Sequence, residues 1–162
     1  MFTIKQCESE KDFASAAELA AELAAWDIAE TQKLGILADE VAQFYYPEGS
    51  ELPAMTLLAS ACSTPAACIG YREMSPGMCE VKRLYVRPTF RETGLGAMMI
   101  ASLTEKAAAA GYLRMCLETT RFMKGALRLY EEAGFVPCEA YYALPQVFRD
   151  ISIFMKKEIV AP

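Results

Sequence analysis

The segment that most constrains the fold is residues 78–111, where a strand pattern passes through a glycine-containing turn directly into a helical pattern. "MCEVKRLYV" predicts a strand, and an apolar helical pattern runs from Leu95 to a terminating Gly111. Gly94 and Gly96 lie at the start of that helix. Because glycine weakens a helix by about 1 kcal/mol relative to alanine, two of them here indicate a purpose other than helix stability.

An anion-binding turn would supply that purpose. The first N–H groups of a helix have no partner within the helix and carry partial positive charge, so they attract anions. Glycines let the backbone approach the anion closely, and Arg91 adds a cation just before the turn. We therefore predict phosphate binding at residues 91–97, with a plain strand-to-helix turn as the alternative.

The two best-known phosphate-binding motifs do not match this turn. No G-K-[ST] sequence is present, which excludes a P-loop. The dinucleotide fingerprint G-x-G-x-x-G would require glycine at Met99. A nucleotide-binding Rossmann domain is therefore not predicted.

The rest of the chain alternates strand and helix patterns in the order β-α-α-β-β-β-α-β-α-β-β. The second helix is predicted from Leu34 to Phe44, and the last two strands at residues 135–142 and 151–157. Hairpins mixed with strand-helix-strand crossovers predict a mixed α/β sheet covered by helices.

The absence of histidine restricts the chemistry. It excludes Ser-His-Asp and Cys-His catalysis and zinc sites that use histidine. Acid-base chemistry must use carboxylates, tyrosine, lysine or water. The six cysteines form no C-x-x-C pair and are read as reduced, mostly buried thiols, and no metal site is predicted.

Charge and hydropathy indicate which compartment and which classes of partner to expect for this chain. A net charge of -5 does not provide the generally basic surface that is typical of nucleic-acid-binding proteins. No apolar run approaches membrane-spanning length, and the N-terminus lacks a signal-peptide core. We expect a single domain over residues 1–162 that is soluble and cytoplasmic, with no membrane or nucleic-acid partner; a homodimer is compatible with this interpretation.

Two segments together resemble a known family. "EVKRLYVRPTFRETGLGAMMIASLTEKAAAAGYLRMCLETT" and the later "ALRLYEEAGF" resemble the GNAT superfamily of N-acetyltransferases, whose signature is [RQ]-x-x-G-x-[GA] after a strand and a later L-Y-E-x-x-G-F. The detailed match covers residues 79–136, and the element order fits nearly the whole chain. The resemblance implies one domain with about seven strands, splayed parallel strands 4 and 5, and about four helices.

The resemblance also implies a site for acetyl-CoA between "RLYV" and "RMCLET". The backbone of Leu84, Tyr85 and Val86 would pair with the pantetheine arm. Two positions depart from the family pattern: Glu92, where a small residue is common, and Met123, where asparagine often contacts the cofactor. The diphosphate would lie on N–H groups of the turn, and further residues would line the cofactor: Arg91, Glu92, Thr93, Gly94, Leu95, Gly96 and Ala97, with Thr119, Met123 and Ala126.

Proton transfer is assigned by the same resemblance to a carboxylate and a tyrosine. Glu80 lies eleven residues before Arg91, where several family members carry a base acting directly or through water. Tyr130 lies where family members place a hydroxyl beside the cofactor sulfur, as the acid. The alternatives are that Glu80 is an ordinary solvated strand residue and that Tyr130 is a core aromatic. Four further tyrosines are read as acceptor-pocket or packing residues: Tyr45, Tyr46, Tyr141 and Tyr142.

The acceptor is predicted to be a primary amine that attacks acetyl-CoA directly. In this fold its wall would come from residues near 26–46 and 139–152. Polyamine, aminoglycoside, amino-acid and protein amines all remain open, and a non-catalytic acyl-CoA-binding module is the alternative function. A surplus of carboxylates in these segments suggests a cationic amine: Asp27, Glu30, Asp39, Glu40 and Glu139 against Lys33 and Arg149.

Overall fold

A computed structural model describes residues 1–159, and it contains one seven-stranded sheet with helices on both faces. The predicted mixed α/β fold is confirmed, with five α-helices rather than about four, because a single turn forms before the last strand. The elements are β1 (Phe2–Gln6), α1 (Glu10–Gln32), α2 (Ala38–Tyr45), β2 (Met55–Ala61), β3 (Thr64–Ser75), β4 (Met78–Val86), α3 (Leu95–Ala109), β5 (Arg114–Thr120), α4 (Lys124–Glu132), β6 (Val136–Cys138), α5 (Gln146–Arg149) and β7 (Ser152–Glu158).

The strand order is β1-β2-β3-β4-β5-β7-β6, and only β4 and β5 are parallel neighbours. Their pairing begins at Met78 with Arg114 and ends at Glu80 with Cys116. Beyond that pair the two strands separate, so residues 81–86 face residues 117–120 across an opening that we call the gap. The predicted splay of strands 4 and 5 is confirmed.

Different helices pack against the two faces of the sheet. Met115 and Leu117 of β5 pack in the main core with Met99 and Leu103 of α3. Because successive strand side chains point to opposite faces, Cys116 and Glu118 project to the other face, which α1 and α2 cover. We call this the acceptor face.

A bulge in β4 changes the direction of one charged side chain. The pairing of β4 with β3 is irregular between Lys82 and Tyr85, and Arg83 has a φ of +59°. A bulge inserts an extra residue and re-aims the side chains beside it. Lys82 and Arg83 therefore both reach the acceptor face although they are consecutive residues. Lys82 contacts Glu80, and Arg83 contacts Tyr46.

The second helix is shorter than predicted. It begins at Ala38, and both Leu34 and Leu37 are exposed, at 47% and 67%. Gly35, with a φ of +81°, interrupts the helical path after α1. Glu40 then accepts a hydrogen bond from the Leu37 N–H at 3.1 Å, which caps the start of α2.

Candidate functional site

The turn before α3 has the backbone geometry of an anion cradle. Gly94 is the N-cap with a φ of +84°, a left-handed conformation that favours glycine, and the space beside its Cα is open. Met98 donates to the Gly94 carbonyl at 3.1 Å. Within residues 1–159, the N–H groups of Gly96 and Ala97 have no backbone acceptor. The Arg91 N–H donates to the Pro88 carbonyl at 3.2 Å, so that predicted donor is already engaged.

Gly96 also lies where α3 packs on α4. A Cβ at this residue would lie 2.6 Å from Cδ1 of Leu129 in α4, so that side chain would have to move. Packing of the two helices therefore gives a second reason for this glycine, and the approach of a diphosphate to its N–H stays a prediction.

Arg91 and Glu92 flank the cradle on exposed backbone. Nε of Arg91 donates to the Val86 carbonyl at 2.9 Å, so this carbonyl already has one partner. The same guanidinium lies 5.8 Å from the centre of the Tyr85 ring. Glu92 is exposed and has a φ of +60°, a conformation that favours glycine. Glycine is therefore the better backbone choice at this position, and the chain has glutamate instead.

The remaining predicted cofactor residues are distributed on both sides of the gap. Leu84 is on the β4 side, half-buried against the main core. Thr119 is on the β5 side, and its hydroxyl contacts the sulfur of Met123 at 3.3 Å. Met123 is the N-cap of α4, and Ala126 in that helix packs on the main core. The side chain of Met123 thus contacts Thr119, a residue of the strand that borders the gap.

Glu80 is buried at the point where the gap begins. It is 8% exposed, so the alternative of an ordinary solvated residue is wrong. Its Oε1 atom is 3.0 Å from Nζ of Lys82 and 3.8 Å from Nε of Arg72, while Oε2 accepts a hydrogen bond of 2.6 Å from the Tyr141 hydroxyl. The carboxylate is therefore held on both oxygens.

Glu118 is a second carboxylate on the acceptor face, and the sequence analysis did not propose it. Its Oε1 atom accepts a hydrogen bond from the Tyr142 hydroxyl. Its Oε2 atom is buried and accepts no hydrogen bond of ordinary length within residues 1–159, although the nearby hydroxyl of Ser152 favours the ionised form of the carboxyl. Burial raises the pKa of this carboxyl above the usual glutamate value. The signal in the sequence was a lone acid in the otherwise uncharged stretch "MCLETT".

Tyr130 lies in α4 and is 6% exposed. Its ring packs edge-on against Phe135, with a centroid separation of 5.5 Å. Burial alone raises the pKa of its hydroxyl, so the phenol stays protonated near neutral pH. The ring is thus a core aromatic as the alternative supposed, and the protonated hydroxyl keeps the chemistry of a proton donor.

The other tyrosines bind polar groups of the acceptor face. The hydroxyl of Tyr45 lies 2.7 Å from the hydroxyl of Ser152 in β7. Tyr46 donates to Oδ2 of Asp27 at 2.7 Å, and the guanidinium of Arg83 lies 4.5 Å from the centre of its ring. With Tyr141 on Glu80 and Tyr142 on Glu118, these rings surround the acceptor side of the gap.

Some of the carboxylates that suggested a cationic acceptor have other roles. Asp27 is 2% exposed and bonded by Tyr46. Glu30 pairs with Lys33 at 2.7 Å, and Glu40 caps α2. Three of the five acids behind that suggestion are therefore engaged within the protein, whereas Glu139 lines a cavity that Tyr141 also lines. The suggestion of a cationic acceptor stays a prediction.

A cavity of about 580 Å³ lies on the acceptor face against the paired ends of β4 and β5, at Met78, Arg114 and Cys116. Its lining includes Cys116, which pairs with Glu80 across the strands, and Tyr141, which hydrogen-bonds to Glu80.

No cluster of metal-ligating side chains occurs in the described part of the chain. Among the same residues, no helix combines the length and apolar character that crossing a bilayer requires.

Comparisons with known proteins agree with this architecture. A family model described as the Acetyltransferase (GNAT) family matches residues 20–135. An uncharacterised N-acetyltransferase of Schizosaccharomyces pombe is 33% identical over 66% of this chain and 66% of its own length. Two crystal structures share the fold. One from Klebsiella pneumoniae, designated an acyl-CoA N-acyltransferase, has a TM-score of 0.75 at 24% identity over 99% of both chains. A GNAT acetyltransferase from Staphylococcus aureus has a TM-score of 0.72 at 15% identity over 99% and 100%.

The matches to curated relatives are partial. The aligned segments span 66%, 35% and 32% of the lengths of the first three. The family assignment rests on residues 20–135, and activity is carried over only as a proposal.

Proposed function

The chain belongs to the GNAT family of acetyltransferases, and from this premise we propose that it transfers the acetyl group of acetyl-CoA to a primary amine by direct attack. The observation that carries the proposal is the gap between β4 and β5, which has an anion cradle at one end and, on its acceptor face, the buried Glu80 and the half-buried Glu118. An extended thioester and an amine could meet there.

The residues around the gap fit acetyl-CoA. Residues 81–86 of β4 have no strand partner on the β5 side, so an extended pantetheine arm can add to this edge as another strand would. The N–H groups of Gly96 and Ala97 and the guanidinium of Arg91 suit the diphosphate. Acetyl-CoA supplies an activated acyl group, and the protein must supply orientation and proton transfer.

The amine must lose a proton as its nitrogen bonds to the acetyl carbon. Two carboxylates can accept that proton, directly or through water: Glu80, predicted from sequence, and Glu118. A base needs a free lone pair and a pKa near the working pH. The unpartnered Oε2 of Glu118 and its raised pKa favour Glu118, and Glu80 would then orient the site through Lys82 and Tyr141.

The departing sulfur must gain a proton as its bond to the acetyl carbon breaks. Tyr130 is the proposed donor, because its phenol is protonated at neutral pH and belongs to α4, the helix that follows β5. The neutral amine nitrogen bonds to the acetyl carbon and gives one proton to a carboxylate, while the sulfur loses that carbon and gains the Tyr130 proton. Exchange with solvent then removes the proton from the carboxylic acid and returns one to the tyrosine.

The test is product formation from acetyl-CoA and a panel of primary amines, followed by the mass of the acetylated amine. Mass is preferred to thiol colour because Cys62 is an exposed thiol. Calorimetry measures acetyl-CoA binding separately. Binding with no acetylated product from any amine class would favour the non-catalytic acyl-CoA-binding module.

A further inference from the structure

Three cations and a buried carboxylate lie together on the acceptor face. Arg72 of β3 and Lys82 of β4 lie beside Oε1 of Glu80, and Arg83 follows Lys82 directly. Burial lowers the pKa of Arg83, and the charge of Arg72 lowers it further. Three cations thus gather at β3 and β4 in a protein whose net charge is -5. Glu118 lies across the gap and is the one carboxylate of β5.

Arg83 is the one of these three cations that has no ion-pair partner within residues 1–159. Its guanidinium is half-buried and stacks on the ring of Tyr46 at 4.5 Å. One terminal nitrogen makes two long contacts with Ser50, 3.3 Å to the hydroxyl and 3.4 Å to the carbonyl. No carboxylate lies within ion-pair distance of Arg83 in residues 1–159, and the buried carboxylate of Asp27, which acts on its charge from farther away, is bonded to Tyr46. Since a guanidinium offers five N–H donors, most of its hydrogen-bonding capacity is unused.

A series of contacts on the acceptor face leads from Arg83 toward Glu118. Arg83 lies on Tyr46, whose neighbour Tyr45 contacts Ser152. Ser152 and Phe154 of β7 lie beside Glu118 in the sheet, because Thr120 pairs with Ser152 and Glu118 pairs with Phe154. Glu118 is near enough to Lys82 and Glu80 to be influenced by both charges. Glu80 is held between Lys82 and Arg72, which leaves Arg83 as the cation of β4 without an ion-pair partner in residues 1–159 and Glu118 as the carboxylate of β5.

We propose that the acceptor is a free α-amino acid, whose carboxylate binds Arg83 with Arg72 while its amine faces Glu118. This inference rests on the proposed acetyl transfer and narrows its substrate class. A zwitterion matches both signs of charge, and the fork of a guanidinium suits a carboxylate. Polyamines and aminoglycosides would bring only positive charge to Arg83. A protein N-terminus lacks the α-carboxylate beside its amine.

The test compares matched acceptors that differ only at the carboxylate: a set of L-amino acids, their carboxamides and the corresponding decarboxylated amines. The carboxamides have the less basic amine, so reactivity alone would favour them. We expect the free amino acids to be preferred. Arg83→Gln should lower kcat/KM for a free amino acid by roughly 10- to 100-fold, the range for a lost hydrogen bond to a charged group, and leave the carboxamide nearly unchanged. Arg72→Gln, at a half-exposed position, should act in the same direction.

Two controls keep the result interpretable. Lys106→Gln removes an exposed cation near the end of α3 and should change neither acceptor. Acetyl-CoA affinity by calorimetry should be the same in all variants, which shows that each is folded. Equal use of amino acids and carboxamides, or equal loss on both in Arg83→Gln, would overturn this inference and leave acetyl transfer standing. Acetyl-CoA binding without product from any acceptor would overturn both.

Discussion

The hydroxyl of Tyr141 donates a hydrogen bond of 2.6 Å to Oε2 of Glu80, which ties the loop after β6 to the middle of β4. Since Lys82 lies 3.0 Å from the other oxygen, both oxygens of Glu80 are engaged. Glu118 keeps one buried oxygen without a partner in the described residues. The two carboxylates therefore differ in their freedom to accept a proton, and that difference can be measured.

Glu118→Gln should lower kcat/KM at neutral pH by about 10²–10⁴-fold, the usual contribution of a general base. The base must be ionised to act, and burial raises the pKa of Glu118. Activity of the wild type should therefore fall on the acid side at a pH above the normal glutamate range, and this acidic limb should be missing in the variant. A pH profile of kcat/KM with a fixed amine measures both effects.

Glu80→Gln is the matched comparison for that experiment. If Glu80 only positions its neighbours, the variant keeps the acidic limb with a smaller loss of rate. Should the limb instead vanish in Glu80→Gln and persist in Glu118→Gln, Glu80 is the base, as the sequence resemblance implied.

The glycine turn before α3 was predictable from sequence, and the position of Glu118 was not. Gly94 could be recognised because a left-handed residue before a helix leaves a local signature. Glu118 depends on where β4 and β5 separate and on the position of Tyr142, which lies 24 residues away. Contacts of that range are set by tertiary packing, and no local pattern encodes them.

Tyr130→Phe should reduce kcat by about 10²–10⁴-fold with little change in acetyl-CoA affinity. The ring and its contact with Phe135 remain, while the proton donor is lost. Because burial raises the pKa of Tyr130, no alkaline limb from this group is expected below about pH 10 in the wild type. Tyr112→Phe, which alters a tyrosine that packs on Tyr71, is the control. Full turnover in Tyr130→Phe would leave that residue a packing role alone.

The apolar spacing that placed Leu34 and Leu37 inside a helix was misleading. Both side chains are exposed because Gly35 turns the chain out of the helical path before α2 begins. The pattern was correct from Val41 onward, where the side chain is fully buried. Periodicity finds a buried face, and the residue at which a helix starts depends on backbone conformation.

Gly96→Val should destabilise the protein by about 1–3 kcal/mol, the usual effect of overpacking. The new side chain would collide with Leu129, whose Cδ1 atom lies 2.6 Å from the Cβ position. Adding Leu129→Ala should recover part of the loss, in a double-mutant cycle measured by urea unfolding. If the two substitutions are additive and acetyl-CoA affinity alone collapses, the side chain meets the diphosphate after all.

Glu92 places a carboxylate beside the cradle and holds a left-handed backbone, and two substitutions separate these effects. Glu92→Gln removes the charge and keeps the conformation, so acetyl-CoA should bind about two- to five-fold more tightly at low salt, from roughly 1 kcal/mol of repulsion at 4 Å in water. Glu92→Gly removes the charge and also relieves the φ of +60°, so it should match that affinity and in addition raise the melting temperature. Calorimetry at two salt concentrations and thermal unfolding supply the measurements. The affinity gain should shrink at high salt, because the side chain is exposed and its field is screened. Unchanged affinity in both variants would mean that the diphosphate lies away from residue 92. The cradle would then be confined to Gly94 and the N–H groups of Gly96 and Ala97.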